Sequence, residues 1–380
     1  MKVLVAMDEF NGIISSYQAN RYVEEAVASQ IETADIVQVP LFNGRHELLN
    51  AVFLWRSGTR YRVDVHDANG DVVEAEYGIT DEDMAVIEAS TFLKGAHKPV
   101  VERSSFGLGE MIKDACTKGA KHIVVSVGGV DTYDGGAGML QALGAHFYDD
   151  EGVLVDVTQG PTVLKYIRRV DLSDIIETLS QVRIQVMSDF DSHYYGKHSA
   201  IMQQYKQLGL THEQAAEIDN LIWYFSEVFK NETQTAFGPI ARGGAGGGIA
   251  AILSGLYQAE IVTSHQLVDQ ITHLETLIEQ ADLVVFGEGV NEKDHLLETT
   301  TMRIAELVTK HNKPSVVISA TAEKFDHFET LGVTGMFNTF IDMPAPGQIT
   351  DFKMGVQLRH YTVQALKLLA MDFPTVTNKN

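Results

Sequence analysis

Short apolar, β-branched runs alternate along the chain with glycine-bearing turns and longer helical patterns. Lys2–Ala6 (KVLVA) is a near-continuous apolar run, followed by the turn Asp8–Gly12 (DEFNG) and a helical stretch over Ser16–Ser29. Ile36–Val39, His122–Val127 (HIVVSV), Ala281–Phe286 (ADLVVF), Pro314–Ala320 (PSVVISA) and Met336–Ile341 repeat the apolar run. His122–Val127 leads through Gly128–Gly129 into a helix that includes Met139–Leu143. Strands without polar alternation are buried on both faces, and their alternation with helices predicts a mostly parallel sheet with right-handed crossovers.

Two regions break this rhythm. Tyr61–Ile79 alternates in YRVDV and in DVVEAEY on either side of Asp67-Ala-Asn-Gly70, which predicts a hairpin. Thr211–Glu232 predicts a helix, with Thr211 as its cap, Glu213 nearby, and an apolar stripe of Ile218, Leu221, Ile222, Phe225 and Val228. The expected organisation is two unlike α/β domains around a cleft. A Rossmann-like domain with a mostly parallel sheet would be built from both chain ends (1–60 and 260–380), with a second α/β domain over 61–259. Ligands commonly bind in such a cleft.

Six segments join glycine to polar residues after a strand or before a helix: Asp8–Gly12, Phe42–Gly44, Ser104–Gly109, Gly128–Gly138 (GGVDTYDGGAG), Ala241–Gly248 (ARGGAGGG) and Gly287–Glu292 (GEGVNE). Ser104–Gly109 is expected to open a helix at Glu110. Glycines at the carboxyl ends of parallel strands permit close backbone approach, and the next helix offers free N–H groups to an anion. The same turns also serve as plain loop geometry. No G-x-x-x-x-G-K-[ST], complete G-x-G-x-x-G, H-E-x-x-H, C-x-x-C or G-x-S-x-G is present.

The balance of charge narrows the partners. With 380 residues and a net charge of −22, the chain is a poor match for nucleic acid or an anionic membrane surface. No apolar window approaches a membrane span, and the start turns acidic too early for a signal peptide. The single cysteine, Cys116, cannot form an internal disulfide, which fits a cytoplasmic protein. A monomer or homodimer is expected. A site for phosphorylated ligands would have to gather cations against this field.

The segments FGLGEMIKDACTKGAKHIVVSVGG and TYDGGAGMLQALGAHF resemble the bacterial glycerate kinase family (type I). Phe106, Gly107, Gly109, Glu110, Gly128, Gly129, Thr132, Asp134, Gly135, Gly136, Ala137 and Gly138 hold the matching places. The family's D-S-F-K-G turn corresponds to Asp8–Gly12, its P-G-A-G-A-A-G-G loop to Ala241–Gly248, and its T-G-E-G segment to Phe286–Gly289. The acids of its C-D-V-D-N stretch fall on Asp189 and Asp191. The resemblance spans nearly the whole chain. It implies two α/β domains around a cleft and transfer of the γ-phosphoryl group of ATP, with Mg²⁺, to glycerate or a related small anionic hydroxy acid.

Under that resemblance Asp189, Asp191 and Glu288 are the catalytic candidates, with Asp189 and Asp191 also available to a metal. Asp8, Asn11, Gly12, Asn43, Gly44, Arg45, Gly128, Gly129, Thr132, Asp134, Gly135, Gly136, Arg242, Gly243, Gly244, Gly246, Gly287, Gly289 and Glu292 are the candidates for substrate or phosphate binding. From the residues alone, Asp189 and Asp191 are either a working pair or solvated loop acids, and Asp134 and Glu288 either meet ligand or cap structure.

The polar positions depart from the family. Asn11, Val290, a leucine at 208 and the neighbourhood of Thr299 stand where the family has cations, Asn43 and His46 where it has acids, and Val130, Asp131 and Tyr133 where it has Ser, Ala and Asn. Each lost cation at a phosphoryl-transfer site costs about 10²–10³ in rate. Arg45 and Arg242 occupy glycine places, with His46 and His295 new near them, and arginine's planar fork suits carboxylate or phosphate. Two readings follow: a kinase in which Arg45 and Arg242 restore the charge, or a catalytically impaired paralogue that binds a small anionic metabolite. Tyr194-Tyr195, with Lys197 and His198, is either a lid edge or packing.

Overall fold

The computed structural model describes residues 1–10, 12–175, 177–289, 299–322, 325–340 and 348–370. In chain order the strands are β1 (Lys2–Met7), β2 (Asp35–Gln38), β3 (Gly58–His66), β4 (Val72–Thr80), β5 (Met84–Glu88), β6 (His122–Ser126) and β7 (His146–Tyr148). There follow β8 (Arg169–Asp171), β9 (Arg183–Met187), β10 (Glu260–Val262), β11 (Leu283–Glu288), β12 (Ser315–Ser319) and β13 (Gly335–Asn338). The fold is α/β with mostly parallel sheets, and the chain divides into two compact units.

The first unit comprises Met1–Phe42 and Val268–Asn380. Its sheet has the order β13-β12-β11-β1-β2, with every described pairing parallel. Counting only this unit's strands, the order is 2-1-3-4-5, a doubly wound arrangement whose switch point lies between β1 and β11. β1, β11 and β12 are buried along most of their length, as their uninterrupted apolar runs require. The helix Ser16–Gln30 begins at a capping box between Ser15 and Gln18. It packs on the helix Asp351–Leu369, where Gly355 leaves room for the Tyr22 ring.

The second unit, Asn43–Leu267, holds the sheet β10-β9-β6-β5-β4-β3 and the small β7-β8 pair. β5, β6, β9 and β10 are parallel, while β4 and β3 run antiparallel as the expected hairpin, with Tyr61 opposite Tyr77. The hairpin turn is closed by Asp67, whose Oδ1 accepts from the amides of Asn69 and Asp71, and Gly70 takes φ +82°. The helix His212–Thr233 is capped by Thr211, but the reciprocal partner is Gln214 rather than Glu213. Its stripe lies in the unit's core, with Leu221 partly buried at the edge.

One predicted boundary is corrected. The helix expected to open at Glu110 spans Phe106–Thr117, so Gly107 and Gly109 are helical rather than turn residues. A Cβ on Gly107 would lie 1.8 Å from the carbonyl oxygen of His66, and one on Gly109 would lie 2.3 Å from that of Met139. These glycines let the helix press against the hairpin and the helix Ala137–Leu143.

Candidate functional site

In the second unit the candidate residues gather where β5, β6 and β9 end. The loop Asn43–Glu47 is held there from several sides. Gly44 donates its N–H to Asp189 Oδ2 at 3.0 Å, and its carbonyl accepts from Ser126 Oγ at 2.7 Å and Gly128 N at 2.8 Å. The Arg45 carbonyl accepts from Ser90 Oγ. Asn43 Oδ1 accepts from the amides of Arg45 and His46 at 3.0 and 3.1 Å. The buried Glu88 carboxylate, last residue of β5, accepts from Glu47 N and Leu49 N, both at 3.1 Å, and so caps the helix Leu48–Trp55. Glu47 sits in the left-handed region at φ +73°, a strained conformation for a residue with a side chain. Gly128 has no space for a Cβ, which would lie 2.2 Å from the Gly44 carbonyl oxygen. The result is a rigid loop that carries Arg45 exposed at its apex, its stem lying across Gly128 and Gly129.

Asp189 and Asp191 follow β9 but are not equivalent. Asp189 is partly buried; Oδ1 accepts from Ser264 N at 2.7 Å while Oδ2 holds Gly44. It therefore ties the loop before Leu48 to the segment after β10. Asp191 is exposed, and its carbonyl accepts from Gln203 Nε2. Arg242, at φ +57°, donates through Nη1 to the Ser188 carbonyl at 3.3 Å, one residue before Asp189. Arg242 thus bonds the backbone of the same strand end that carries Asp189.

The glycine-rich segments Gly128–Gly138 and Ala241–Gly248 pack on each other by backbone. Gly247 (φ +64°) would place a Cβ 1.9 Å from the Thr132 carbonyl oxygen, and its own carbonyl accepts from Gly135 N at 3.0 Å. Gly244 donates to the Ser192 carbonyl at 3.0 Å, and Gly243 to that of Ile240 at 3.1 Å. Gly135, Gly136 and Gly246 all take positive φ. Thr132 and Ser192 are fully buried, and neither hydroxyl has a hydrogen-bond partner. Tyr194 is buried and donates to the Gly135 carbonyl at 2.8 Å, which makes it part of this packing rather than a lid edge.

Asp134 is fully buried. Its carboxylate accepts from Ser105 N and Oγ at 2.8 and 2.9 Å and from Gly136 N and Gly138 N at 3.0 and 3.1 Å. Burial pushes its pKa up, against these hydrogen bonds, which favour the charged form. It caps the helix Ala137–Leu143 through Gly138 N and fixes Ser105, the residue before the helix Phe106–Thr117.

In the first unit, Asp8 and Glu9 meet Gly287 and Gly289, at the end of β11, at the switch point between β1 and β11. Asp8 N donates to the Gly287 carbonyl at 2.8 Å, and Gly289 N to that of Glu9 at 2.9 Å. A Cβ on Gly289 would lie 2.1 Å from Phe10 Cα, and one on Gly287 would lie 2.0 Å from the Ile318 carbonyl oxygen. Gly12, at φ +69°, is in open space. Buried Glu288 accepts from Thr301 Oγ1 through Oε2, in the first turn of the helix Thr300–Lys310, whose cap is Thr299. Asn11, Val290, Glu292 and His295 lie outside the described residues.

Four polar residues at these strand ends went unremarked in the sequence: Glu88, Ser126, Ser264 and Lys94. Lys94 Nζ stands 3.1 Å from His46 Nε2. Among the described residues no group of three or more His, Cys, Asp or Glu is placed to hold a metal ion, and no helix is long and apolar enough to cross a membrane.

Comparison with known proteins gives one consistent answer. A glycerate kinase of Halalkalibacterium halodurans is 29% identical over 326 residues, 84% of this chain and 85% of that protein. A glycerate 2-kinase of Escherichia coli K12 is 26% identical over 84% of this chain and 85% of its own length. The crystal structure of a candidate glycerate kinase 2 from Salmonella typhimurium LT2 superposes with a TM-score of 0.85, at 26% identity, covering 97% of this chain and 98% of that one. The glycerate kinase family model matches residues 3–358. The chain belongs to the glycerate kinase family.

Proposed function

We propose that this kinase-family chain transfers the terminal phosphoryl group of ATP to a hydroxyl of glycerate or a related small hydroxy acid. The observation that carries the reading is the family match running through all the strand-end loops in order. Phosphoryl transfer requires positioning and charge stabilisation more than covalent chemistry, and pinned loops at the carboxyl ends of parallel strands supply positioning.

In this reading the substrate hydroxyl oxygen forms the new bond to the γ-phosphorus while the bond to the bridging oxygen of ADP breaks. The hydroxyl proton passes to a carboxylate, for which exposed Asp191 is the assigned base. Asp189 holds Gly44 and Ser264 in place, and Arg45 and Arg242 face the anionic groups. In the first unit, Asp8, Glu288 and Gly289 stand at the switch point between β1 and β11, the usual place for a ligand in such a sheet. Mg²⁺ binds typically through one or two carboxylates plus phosphate oxygens. Asp189 and Asp191 fit that donor set, since each oxygen of Asp189 accepts one described hydrogen bond and a carboxylate offers about four acceptor sites. Bound there, Mg²⁺ would offset phosphate charge.

The second reading, a catalytically impaired paralogue, rests on the resemblance, by which Leu208, packed against the core, and the neighbourhood of Thr299, a helix cap, stand where the family has lysines. An ADP-release assay with Mg²⁺ over a panel of hydroxy acids separates the two. Turnover of glycerate at about 1–10³ s⁻¹ excludes the paralogue. No phosphorylation of any acid, together with no rise in melting temperature with ATP, excludes the kinase.

A further inference from the structure

Three of the departures from the family motifs fall around one turn of the second unit. By the resemblance read from the sequence, Arg45 and His46 stand at a glycine and an acid place of one motif, and Asp131 at an alanine place of another. His46 Nε2 lies 3.1 Å from Lys94 Nζ, a distance at which an ammonium donates to an imidazole nitrogen. Asp131 Oδ2 accepts from Gly95 N at 2.7 Å and Ala96 N at 3.2 Å, the two amides directly after Lys94. Asp131 N in turn donates to the Leu93 carbonyl at 2.8 Å, directly before it. The turn carrying Lys94 is thus gripped on both sides by one substituted residue, while its side chain is met by another. Arg103 reinforces the turn, donating to the carbonyls of Lys98, Asp131 and Ala96.

On the other side, His46 and Arg45 are fixed by Asn43 Oδ1, and their loop is fixed by Glu88, Ser126 and Asp189. Arg45 and Lys94 are both exposed, so their charged ends reach solvent at the carboxyl ends of β5 and β6. In a chain of net charge −22, His46 and Asp131 meet the side chain and the turn of one exposed cation, Lys94, and a second exposed cation, Arg45, stands on the adjoining loop.

We propose that Lys94 and Arg45 form an oxyanion-binding site in which Lys94 replaces a cation lost from the family motifs, with His46 and Asp131 as its positioning residues. The ligand is the phosphoryl group of the nucleotide or product, or the carboxylate of the hydroxy acid. The inference rests on the proposed kinase reading for its place in catalysis, but its binding test does not require turnover.

Titration calorimetry at fixed ionic strength with inorganic phosphate, ADP and glycerate tests it. Lys94→Met should weaken at least one of the three about tenfold or more, and Lys94→Arg should recover most of the loss. Loss for phosphate and ADP assigns the phosphoryl group; loss for glycerate alone assigns the carboxylate. Asp131→Ala, which restores the family residue, should weaken the same ligand about threefold. Lys121→Met removes an exposed lysine that pairs with Asp83 at the amino end of β6, and should change nothing. The proposal fails if the wild-type protein binds none of the three, if Lys94→Met changes none by more than twofold, or if Lys121→Met has the same effect. An unchanged affinity after Asp131→Ala removes Asp131 from the device. Lys94-dependent binding without ADP release would defeat the kinase reading alone, and glycerate turnover with Lys94-independent binding would defeat this one alone.

Discussion

Around Gly247 two loops touch backbone to backbone, whereas around Gly44 a loop is gripped by side chains reaching from three strand ends. Both regions are glycine-rich and lie in the same unit. In the first, Gly135, Gly136, Gly244 and Gly247 serve closeness, and the buried carboxylate, Asp134, is filled by amide and hydroxyl donors of its own surroundings. In the second, the anchors Glu88, Ser126 and Asp189 hold backbone so that Asn43, Arg45 and His46 are presented in fixed positions. Glycine content marks both alike; the destination of each carboxylate's hydrogen bonds separates them.

If this contrast is right, the presenting region carries activity and the packed region carries stability. The largest effect belongs to Asp191→Asn, which should lower kcat by about 10²–10⁴, the range for losing a general base, and leave the urea midpoint unchanged because Asp191 is exposed. An equal loss of stability would place Asp191 with the packing residues instead. Next is Gly247→Ala. Its Cβ would meet the Thr132 carbonyl oxygen at 1.9 Å from a left-handed backbone, which should cost about 3 kcal/mol or more in a denaturation experiment. Near-neutral stability would show that the loop yields, and would dissolve the contrast.

A smaller effect is expected from Glu88→Gln. The amide keeps one acceptor oxygen but turns N–H groups toward one of the two amides it now holds, Glu47 N and Leu49 N. The expected loss is about 1–3 kcal/mol of stability, together with a rise in KM as Arg45 loses its fixed place. A stability loss with unchanged KM would mean that the Asn43–Glu47 loop holds its shape through Ser126 and Asp189 alone.

The elements whose burial follows sequence pattern were legible. Lys2–Met7, the hairpin around Asp67–Asp71 and the helix after Thr211 are written in local periodicity and turn chemistry. The helix Phe106–Thr117 begins four residues before its sequence suggests, because its glycines resemble a turn and only His66 and Met139, packed against them, show why they are helical. The short β10 and the polar-laced helix Asp351–Leu369 carry too weak a pattern to stand out. At the site, Asp189 and Glu288 were legible as motif acids. The role of Asp189 was not, because its donors Gly44 and Ser264 are 145 and 75 residues away. Lys94 was invisible for the same reason, since His46 is 48 residues distant.

The smallest expected effect uses the opposite end of the same sheet, where neither kind of region lies. His122 opens β6, and its Nε2 is 2.9 Å from Gln185 Oε1. Burial chiefly, with the charge of Arg183, pushes its pKa below the ordinary 6.5, while Gln185 and Glu260 pull the other way. The sign follows from proton uptake. Below pH 6.5 the unfolded imidazole takes a proton that the folded one resists, so the stabilising contribution is complete above 6.5 and declines as pH falls below it. Urea midpoints at about pH 7.5 and pH 5.5 should therefore differ more for the wild type than for His122→Gln, whose amide can still bond Gln185. The pH profile of kcat should be the same in both, because His122 lies at the amino end of β6 and the working loops lie at its carboxyl end. A profile that moves with His122→Gln would show that the sheet transmits changes from one end to the other, and the separation of stability from activity would then fail even where no residue is shared.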